Sequence, residues 1–261
     1  LHPSKDRAEE AMEAAFSEID RLSRLLSRYD HSSAVYDLNT RGHLAGLPPE
    51  VSQVVASSLH YYKLTGGYFD VTVKPVVDLF QQKMGGEKKL QPTDAEINDL
   101  LKRVDARNVE LKDEAVSFKA EGMGITLDGI AVGYIVDRVS ELLLSRGIQN
   151  HLINASGDIR TRGAKEDGKP WTVAIQDPWK QKKYPDVVHL GDGAISTSGN
   201  YEIYYDEEKM FHHIVNPKTG HSPVEVTSGT IQANTCMEAD ALATALCVMS
   251  PAQGTQFVNG L

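Results

Sequence analysis

The sequence is poor in cysteine and has no long apolar run, and each deficit excludes a class of protein. Two cysteines in 261 residues cannot staple a disulfide-rich scaffold. Cys236 and Cys247 lie 11 positions apart on one predicted helix, about three turns, which argues against a bridge between them. No stretch of about 18 apolar residues occurs, so no membrane span is predicted.

Basic residues are also in the minority, with 27 Lys and Arg against 36 Asp and Glu and a net charge of −9. This balance argues against a nucleic-acid partner and implies that a cation would help wherever phosphates bind. A hydrophobic content of 41% and a length of 261 residues suit one large soluble domain or two small ones. No signal peptide is visible, but the chain opens on Leu1, as expected of a processed or trimmed secreted form.

The hydrophobic period changes along the chain and predicts an α+β fold. Helices are expected early, at the centre and near the end, and strands mainly in the second half. No internal repeat, low-complexity tract or linker is evident. The predicted helices are 8–27, 49–62, 75–79, 93–104 and 235–248, with a short helical turn at 34–39. A central helix carries its apolar face on 135–143 and is expected to end at Gly147. Capping boxes, Thr93 with Glu96 and Thr235 with Glu238, are expected to open two of the helices. The predicted strands are 68–73, 109–111, 116–118, 151–155, 171–175, 187–190, 201–205, 211–215 and 227–233.

The most informative stretch is 126–139, whose pattern predicts a strand that runs through a glycine-bearing turn into a helix. Gly129 and Gly133 allow a close backbone approach, and free N–H groups at a helix start suit anionic oxygens. Asp128 at the strand end is not needed for packing. A capping aspartate with packing glycines explains the same pattern, so the stretch alone leaves both interpretations open.

The last predicted helix carries Asp240 and Thr244, four positions apart on one face. A carboxylate and a hydroxyl offer the hard oxygen ligands that Mg²⁺ takes. The neighbouring residues are small or apolar, so this carboxylate is expected to be buried and to need a partner or a metal. Asp240 near a helix start could also simply complement the helix dipole.

His212-His213 lies in a predicted strand, whose alternation points one histidine inward, where a satisfied core residue is the plain alternative to a catalyst. Two small-residue turns are predicted, at 154–158 and at 196–200. Each could present N–H groups to an oxyanion or merely close a hairpin. Neither has the G-x-S-x-G context of a serine hydrolase.

Taken together, these segments resemble the FAD:protein FMN transferase (ApbE) family over nearly the whole chain. Seven pieces occur in the order of the family, and the resemblance rests on that order. They are 26–39, 65–75, 127–137, 157–158, 197–199, 213–220 and 239–245, including Thr-Gly-Gly-Tyr-Phe-Asp from Thr65, Leu-Asp-Gly-Ile-Ala-Val-Gly-Tyr from Leu127 and Asn-Pro-Lys-Thr-Gly from Asn216.

The resemblance implies an ApbE-like α+β fold with a mixed or antiparallel sheet core flanked by helices, spanning residues 1–261 as one domain or two closely packed lobes. It also implies an enzyme that takes FAD and Mg²⁺ and attaches FMN to a threonine or serine of a target protein, releasing AMP. The expected acceptor is a membrane redox subunit. The expected location is the periplasm or the outer face of the cytoplasmic membrane, with a lipid anchor.

The resemblance also implies site residues, position by position. Asp240, Thr244 and the backbone carbonyl of Ala131 match metal ligands, and His213 and Asp240 match residues needed for activity. His213 is the candidate base for the acceptor hydroxyl, or else it orients the flavin or the phosphate. The positions that match FAD contacts are Ser33, Tyr68, Phe69, Asp70, Asp128, Tyr134, Ser198, His213 and Ile214.

Several positions depart from the family pattern. Val132 stands where lysine is usual, Ser156 replaces the first glycine of Gly-Gly-Asp, and Asn216 replaces aspartate before Pro217. The chain also ends about a dozen residues after Met249, before a terminal segment that the family usually carries. Two alternatives therefore remain open: a Mg²⁺-dependent FAD pyrophosphatase that yields FMN and AMP, and a flavin-binding protein without catalysis.

Overall fold

The computed structural model describes residues 1–85, 90–179, 181, 184–200 and 214–261. Within these ranges no helix combines the length and the apolar character that crossing a bilayer requires. The helices are α1 (Lys5–Leu26), α2 (Ala34–Arg41), α3 (Pro49–Leu64), α4 (Lys74–Met84), α5 (Asp94–Leu101), α6 (Ala131–Ser145), α7 (Cys236–Val248) and α8 (Pro251–Asn259). Short 3₁₀ turns occupy Val71–Val73 and Ala106–Asn108.

The strands form small sheets, and the pairs whose register is defined are antiparallel. The strands are β1 (His43–Ala45), β2 (Val109–Lys112), β3 (Ala115–Phe118), β4 (His151–Ala155), β5 (Asp158–Arg162), β6 (Trp171–Ala174), β7 (Val187–Leu190), β8 (Gly193–Gly199) and β9 (Ser228–Ala233). Their orders in the sheets are β1-β3-β2, β4-β5-β8-β9 and β6-β7. The α+β class and a sheet core accompanied by helices are thereby confirmed.

The chain divides into two compact units. Unit 1 comprises 1–24, 130–198 and 230–243, and in it α6 packs on β4 and β5. Unit 2 comprises 25–129, 199–229 and 244–261, and one core cluster in it joins residues of α4 and α5 with Val215 and includes the fully buried Phe80. That residues 1–261 act as one domain or as two closely packed lobes stays a prediction.

Sequence punctuation accounts for several element boundaries. The predicted capping box at the start of α5 is present, with Thr93 and Glu96 satisfying each other's backbone N–H groups. Gly147, in the left-handed region at φ 83°, follows the end of α6 as predicted. Both cysteines are free and buried, as expected from their spacing.

Three predictions of local structure were wrong. Tyr68–Val73 is not a strand, because the Asp70 side chain accepts from the Thr72 N–H and starts a 3₁₀ turn. Thr126 and Leu127 precede α6 as irregular chain. The supposed turn at 196–200 belongs largely to β8, which ends at Gly199. The predicted strand at 201–205 and residues 211–213 of the predicted strand at 211–215 lie outside the described residues, whereas residues 214–215 are irregular chain.

Of the two interpretations of the turn at 154–158, the structure shows a hairpin, in which β4 pairs with β5, a strand that the sequence analysis did not predict. Ala155 pairs with Asp158, so Ser156 and Gly157 form a two-residue loop. Ser156 adopts φ 55° and Gly157 φ 111°. A side chain at φ 55° is strained, which explains why glycine suits position 156 better than serine.

Candidate active site

The start of α6 lies against the start of α7 in unit 1, and a glycine permits it. A Cβ on Gly133 would lie 2.5 Å from the Cys236 carbonyl oxygen and 2.8 Å from the Met237 Cα. The Gly133 N–H donates to Asp240 Oδ2 at 3.1 Å. The carboxylate of Asp240 is therefore fixed at the N-terminal end of α6.

Asp137 holds the same two helices together from the other side. Its two oxygens accept the N–H groups of Cys236 and Met237, both at 2.9 Å, and so cap α7 from α6. The predicted cap from Thr235 is also present, since its hydroxyl accepts the Glu238 N–H at 3.3 Å. The sequence showed Asp137 only as part of a motif, because a cap supplied by another helix leaves no local signal.

Asp240 is only 5% exposed, as its small and apolar neighbours on α7 predicted. A buried carboxylate of this kind needs hydrogen-bond donors or a cation, and the Gly133 N–H is one donor. Thr244 follows one helical turn later on the same face of α7. The helix thus places a carboxylate and a hydroxyl side by side. This part of the predicted site follows from the four-residue spacing of Asp240 and Thr244 alone.

Within unit 2, the backbone at Gly129 comes close to the Thr244 hydroxyl. A Cβ at residue 129 would lie 2.9 Å from Thr244 Oγ1 and 3.1 Å from its methyl carbon. Only glycine fits here without displacing that side chain. The close approach occurs two residues before Ala131, whose carbonyl the resemblance matches to a metal ligand.

The residues present fit Mg²⁺ better than a transition metal. Among the described residues no three His, Cys, Asp or Glu side chains come together as a ligand cluster. A site made of one carboxylate, one hydroxyl and one carbonyl would form no such cluster. It suits Mg²⁺, which keeps several waters and shares phosphate oxygens with its substrate.

The chain that leads into α6 is held by the Asn39 side chain and by one backbone hydrogen bond, and it forms no strand. The Asn39 amide accepts from the Ile125 N–H at 2.7 Å and donates to the Ile125 carbonyl at 2.9 Å. The Thr126 N–H donates to the Val71 carbonyl at 2.8 Å. Asp128 follows this segment with 60% of its side chain exposed, so its carboxylate is accessible to a ligand.

Two positions matched to FAD contacts are largely enclosed. The Ser33 hydroxyl donates to the Ser27 carbonyl at 2.5 Å and accepts the Tyr36 N–H at 2.9 Å, so it caps α2. Phe69 is 4% exposed and packs edge-on against Tyr61. Their matched roles as FAD contacts stay predictions, and such contacts would involve few side-chain atoms.

Tyr68 is more accessible, and it has a cationic neighbour that the sequence did not reveal. The Lys218 ammonium lies 3.5 Å from the centroid of the Tyr68 ring in unit 2. Ile214 packs beside Tyr68 with Cys247 and Val248. An aromatic ring and a cation placed together suit a flavin or a phosphate. The two residues are 150 positions apart, so no local sequence pattern predicts their contact.

The remaining positions that the structure describes lie in unit 1. Tyr134 is 2% exposed on α6, and Ser198 lies half-buried in β8. Val132 is 37% exposed at the second position of α6, where a lysine would reach solvent. His212 and His213 lie outside the described residues, so the role of His213 stays a prediction.

The hydrogen bonds of Asn216 explain why asparagine stands where the family usually has aspartate. Its side-chain amide donates to the Val248 carbonyl at 3.0 Å, at the C-terminal end of α7, and its Oδ1 accepts the Lys218 N–H at 2.9 Å. A carboxylate could not donate to Val248 and would face the negative end of the helix dipole. Asparagine therefore suits this contact.

Asp70 is a buried carboxylate with an unusual pKa. Burial raises the pKa of Asp70 to about 6, although hydrogen bonds from the Thr72 hydroxyl and N–H and from the Ala106 N–H act in the opposite direction. Both oxygens are thus used inside unit 2. The matched role of Asp70 in FAD binding stays a prediction. In the structure its carboxylate stabilises the 3₁₀ turn that follows Phe69.

The raised pKa of Asp70 predicts a pH-dependent stability. The folded pKa of about 6 exceeds the usual 3.8, so the stabilisation is full below about pH 4 and is lost as pH rises through about 6. Relative to Asp70→Asn, which does not titrate, the parent should lose about 3 kcal/mol between pH 4 and 7. Urea unfolding of both proteins at each pH measures this, and a pH-independent difference would refute it.

The close approach at Gly133 predicts a strong effect of one methyl group. Gly133→Ala should lower the free energy of unfolding by about 2 kcal/mol or more, because the new Cβ meets backbone atoms that cannot rotate away. Gly191→Ala is the matched control, since nothing lies within 4 Å of its Cβ. Equal urea midpoints for the two variants would show that α6 and α7 are not held this closely.

The sequence is similar to a known family over nearly its whole length. A family model described as the ApbE family matches residues 3–261. An FAD:protein FMN transferase of Vibrio cholerae is 32% identical over 248 residues, which is 91% of this chain and 74% of that protein. One from Escherichia coli is 29% identical over 263 residues, covering 97% of this chain and 75% of that protein.

Solved structures give the same result for the fold. The ApbE protein of Thermotoga maritima superposes with a TM-score of 0.89 at 32% identity, over 96% of this chain and 82% of that one. The flavin transferase ApbE from Vibrio cholerae superposes with a TM-score of 0.82 at 30% identity, over 95% of this chain and 82% of that one. The similarity therefore extends over both units.

Proposed function

This chain belongs to the ApbE family, and from that premise we propose that it transfers FMN from FAD to a threonine or serine hydroxyl of another protein, releasing AMP with the help of Mg²⁺. The observation that carries the proposal is the buried Asp240 carboxylate. It is held by the Gly133 N–H and followed one turn later by Thr244. The relatives from Vibrio cholerae and Escherichia coli, which are named FAD:protein FMN transferases, support the same reaction.

The reaction is a displacement at phosphorus. The acceptor hydroxyl oxygen bonds to the phosphorus on the FMN side of the pyrophosphate, and the bond from that phosphorus to the oxygen of AMP breaks. AMP leaves with the electron pair of that bond. In this proposal His213 takes the hydroxyl proton, because a neutral imidazole is a base of suitable pKa near pH 7.

The ligands of Mg²⁺ in this proposal are the Ala131 carbonyl, the Asp240 carboxylate and the Thr244 hydroxyl. A bound Mg²⁺ supplies charge neutralisation at the pyrophosphate, where negative charge develops during the displacement. The protein contributes the placement of these oxygens. Gly133 and Asp137 fix the start of α7, and Gly129 keeps the backbone close to Thr244.

The accessible side chains of Asp128, Tyr68 and Lys218 in unit 2 are the best candidates for FAD binding. Asp128 presents a largely exposed carboxylate that can accept from N–H or O–H donors of FAD. Tyr68 presents a ring with the Lys218 cation on its face. Lys218 also offers a positive charge in a chain where Val132 replaces the usual lysine.

The partners and the location follow from the same reaction. The acceptor is proposed to be a membrane redox subunit with an exposed threonine or serine, because covalent FMN serves electron transfer. The proposed location is the periplasm or the outer face of the cytoplasmic membrane, with a lipid anchor. The net charge of −9 supports the view that nucleic acid is not a partner.

A covalent-flavin assay tests the proposal. The protein is incubated with FAD, Mg²⁺ and an acceptor domain taken from a protein that already carries FMN on threonine, and the mixture is denatured. Yellow fluorescence that stays with the acceptor on a denaturing gel is expected, and an acceptor with its threonine replaced by alanine is the control. Free FMN without a labelled acceptor would indicate a pyrophosphatase, and unchanged FAD would indicate a binding protein.

A further inference from the structure

Arg28 is a buried cation in unit 2 that lies directly behind Asp128. Its side chain is 3% exposed, although arginine is normally found at the surface. Nη1 donates to Asp78 Oδ1 at 2.5 Å, and Nη2 donates to the Tyr29 hydroxyl at 2.5 Å and to Gln81 Oε1 at 3.3 Å. Two of its three nitrogens are thus fixed by neighbours on the chain.

The third nitrogen faces Asp128. Arg28 Nε lies 3.4 Å from Asp128 Oδ2, and it makes no hydrogen bond to any described residue. Asp128 therefore has one oxygen against a buried guanidinium, while 60% of its side chain remains exposed. Since Arg28 cannot move without breaking its contacts to Asp78, Tyr29 and Gln81, it provides a rigid support for that carboxylate.

The charge of Arg28 is also secure. Burial by itself would lower the pKa of the guanidinium, but the negative charge of Asp128 and the hydrogen bond to Asp78 raise it above its usual value. The contact between Arg28 and Asp128 is therefore an ion pair with its cationic side buried. Such a pair keeps its geometry better than one between two mobile surface side chains.

We propose that Arg28 is a positioning residue for FAD binding, which acts by holding Asp128 in the orientation that accepts a hydrogen bond from the dinucleotide. This inference rests on the proposed function, because it takes FAD as the ligand of Asp128. The other contacts of residues 125–126, from Asn39 and Val71, fix the backbone only. Arg28 is the contact that fixes the carboxylate.

A variant without Arg28 is expected to fold. Asp78 keeps a second cationic partner, the ammonium of Lys74, and its side chain is 39% exposed, so no unpaired carboxylate is left buried. Arg28→Met preserves most of the buried methylene stem and removes the charge. Arg41→Met is the matched control, because Arg41 forms an ion pair with Asp37 on the surface of α2 in the same unit.

A double-mutant cycle on FAD affinity tests the proposal. The dissociation constant of FAD is measured by flavin fluorescence for the parent, Arg28→Met, Asp128→Asn and the double variant. Arg28→Met should weaken FAD about tenfold in the parent and less than about twofold when Asp128 is already asparagine. Arg28→Lys should bind FAD with intermediate affinity, and Arg41→Met should bind it like the parent.

The outcomes separate this inference from the proposed function. An equal loss of FAD affinity in both backgrounds would show that Arg28 acts through the general stability of unit 2, and it would overturn the positioning role while the transferase assay stands. An unchanged affinity in Arg28→Met would overturn it as well. A parent that binds no FAD would overturn the inference and the proposed function together.

Discussion

Asp240→Asn is expected to lower the rate of FMN transfer by about a thousandfold, because it removes the only charged ligand in the proposed Mg²⁺ site. Loss of metal stabilisation at a developing phosphate charge is worth several kcal/mol, and about 4 kcal/mol corresponds to this factor. Part of the loss should be recovered at high Mg²⁺, since the carbonyl and hydroxyl ligands remain. Initial rates of acceptor labelling across a Mg²⁺ titration measure both effects.

The fold of this variant should survive. The asparagine side chain keeps an oxygen that can accept the Gly133 N–H, which is the hydrogen bond the aspartate makes at 3.1 Å. Asp20→Asn is the control, because it changes the same charge on the exposed surface of α1 in unit 1. A parent-like rate for Asp240→Asn at low Mg²⁺ would remove Asp240 from the metal site.

His213→Ala is expected to lower transfer by roughly 10²–10⁴-fold, the usual contribution of a positioned general base. FAD affinity should be retained, because a base acts on the attacking hydroxyl and not on the bound dinucleotide. The pH–rate profile should lose its ascending limb near the ordinary histidine pKa of about 6.5. Single-turnover labelling over a range of pH, with FAD binding measured in parallel, tests both statements.

His60→Ala is the control for that variant, because His60 lies exposed on α3. If His213→Ala loses FAD affinity in proportion to its rate, the histidine is a ligand of the dinucleotide and the base lies elsewhere. If neither quantity changes, His213 is an ordinary inward-facing histidine of its segment. Measuring the FAD affinity and the transfer rate on the same variant distinguishes these two outcomes.

Helices and hairpins were predictable from sequence where a local rule decides them. The capping box at Thr93 and the left-handed Gly147 mark helix ends by their own chemistry. Strand β4 and the turn after it were predictable in the same way, whereas strand β5, which completes the hairpin, was missed. The i,i+4 pair of Asp240 and Thr244 belongs to the same class, because a helix fixes their relation whatever surrounds it.

Sequence patterns failed where a side chain overrides the backbone preference of a β-prone stretch. Tyr68–Val73 alternates like a strand, but the Asp70 carboxylate binds the Thr72 N–H and hydroxyl and starts a 3₁₀ turn. Thr126 and Leu127 likewise precede a helix without strand pairing, because Asn39 supplies the partners of Ile125. Both contacts depend on tertiary placement or on a side-chain choice that hydrophobic periodicity does not report.

The supports of the candidate site were the least predictable part. Asp137 caps α7 across 99 positions, and Arg28 meets Asp128 across 100. Lys218 reaches Tyr68 across 150. These partners also lie in segments that carry the resemblance, but no local pattern shows which helix end, carboxylate or ring each of them contacts.

The most direct measurement counts AMP and acceptor-bound flavin in the same reaction, with Mg²⁺ and with the metal chelated. One AMP for each FMN attached to the acceptor is expected with Mg²⁺, and neither product is expected without it. Release of AMP with free FMN and an unlabelled acceptor would contradict transfer. Equal labelling in the presence of chelator would contradict the metal site at Asp240 and Thr244.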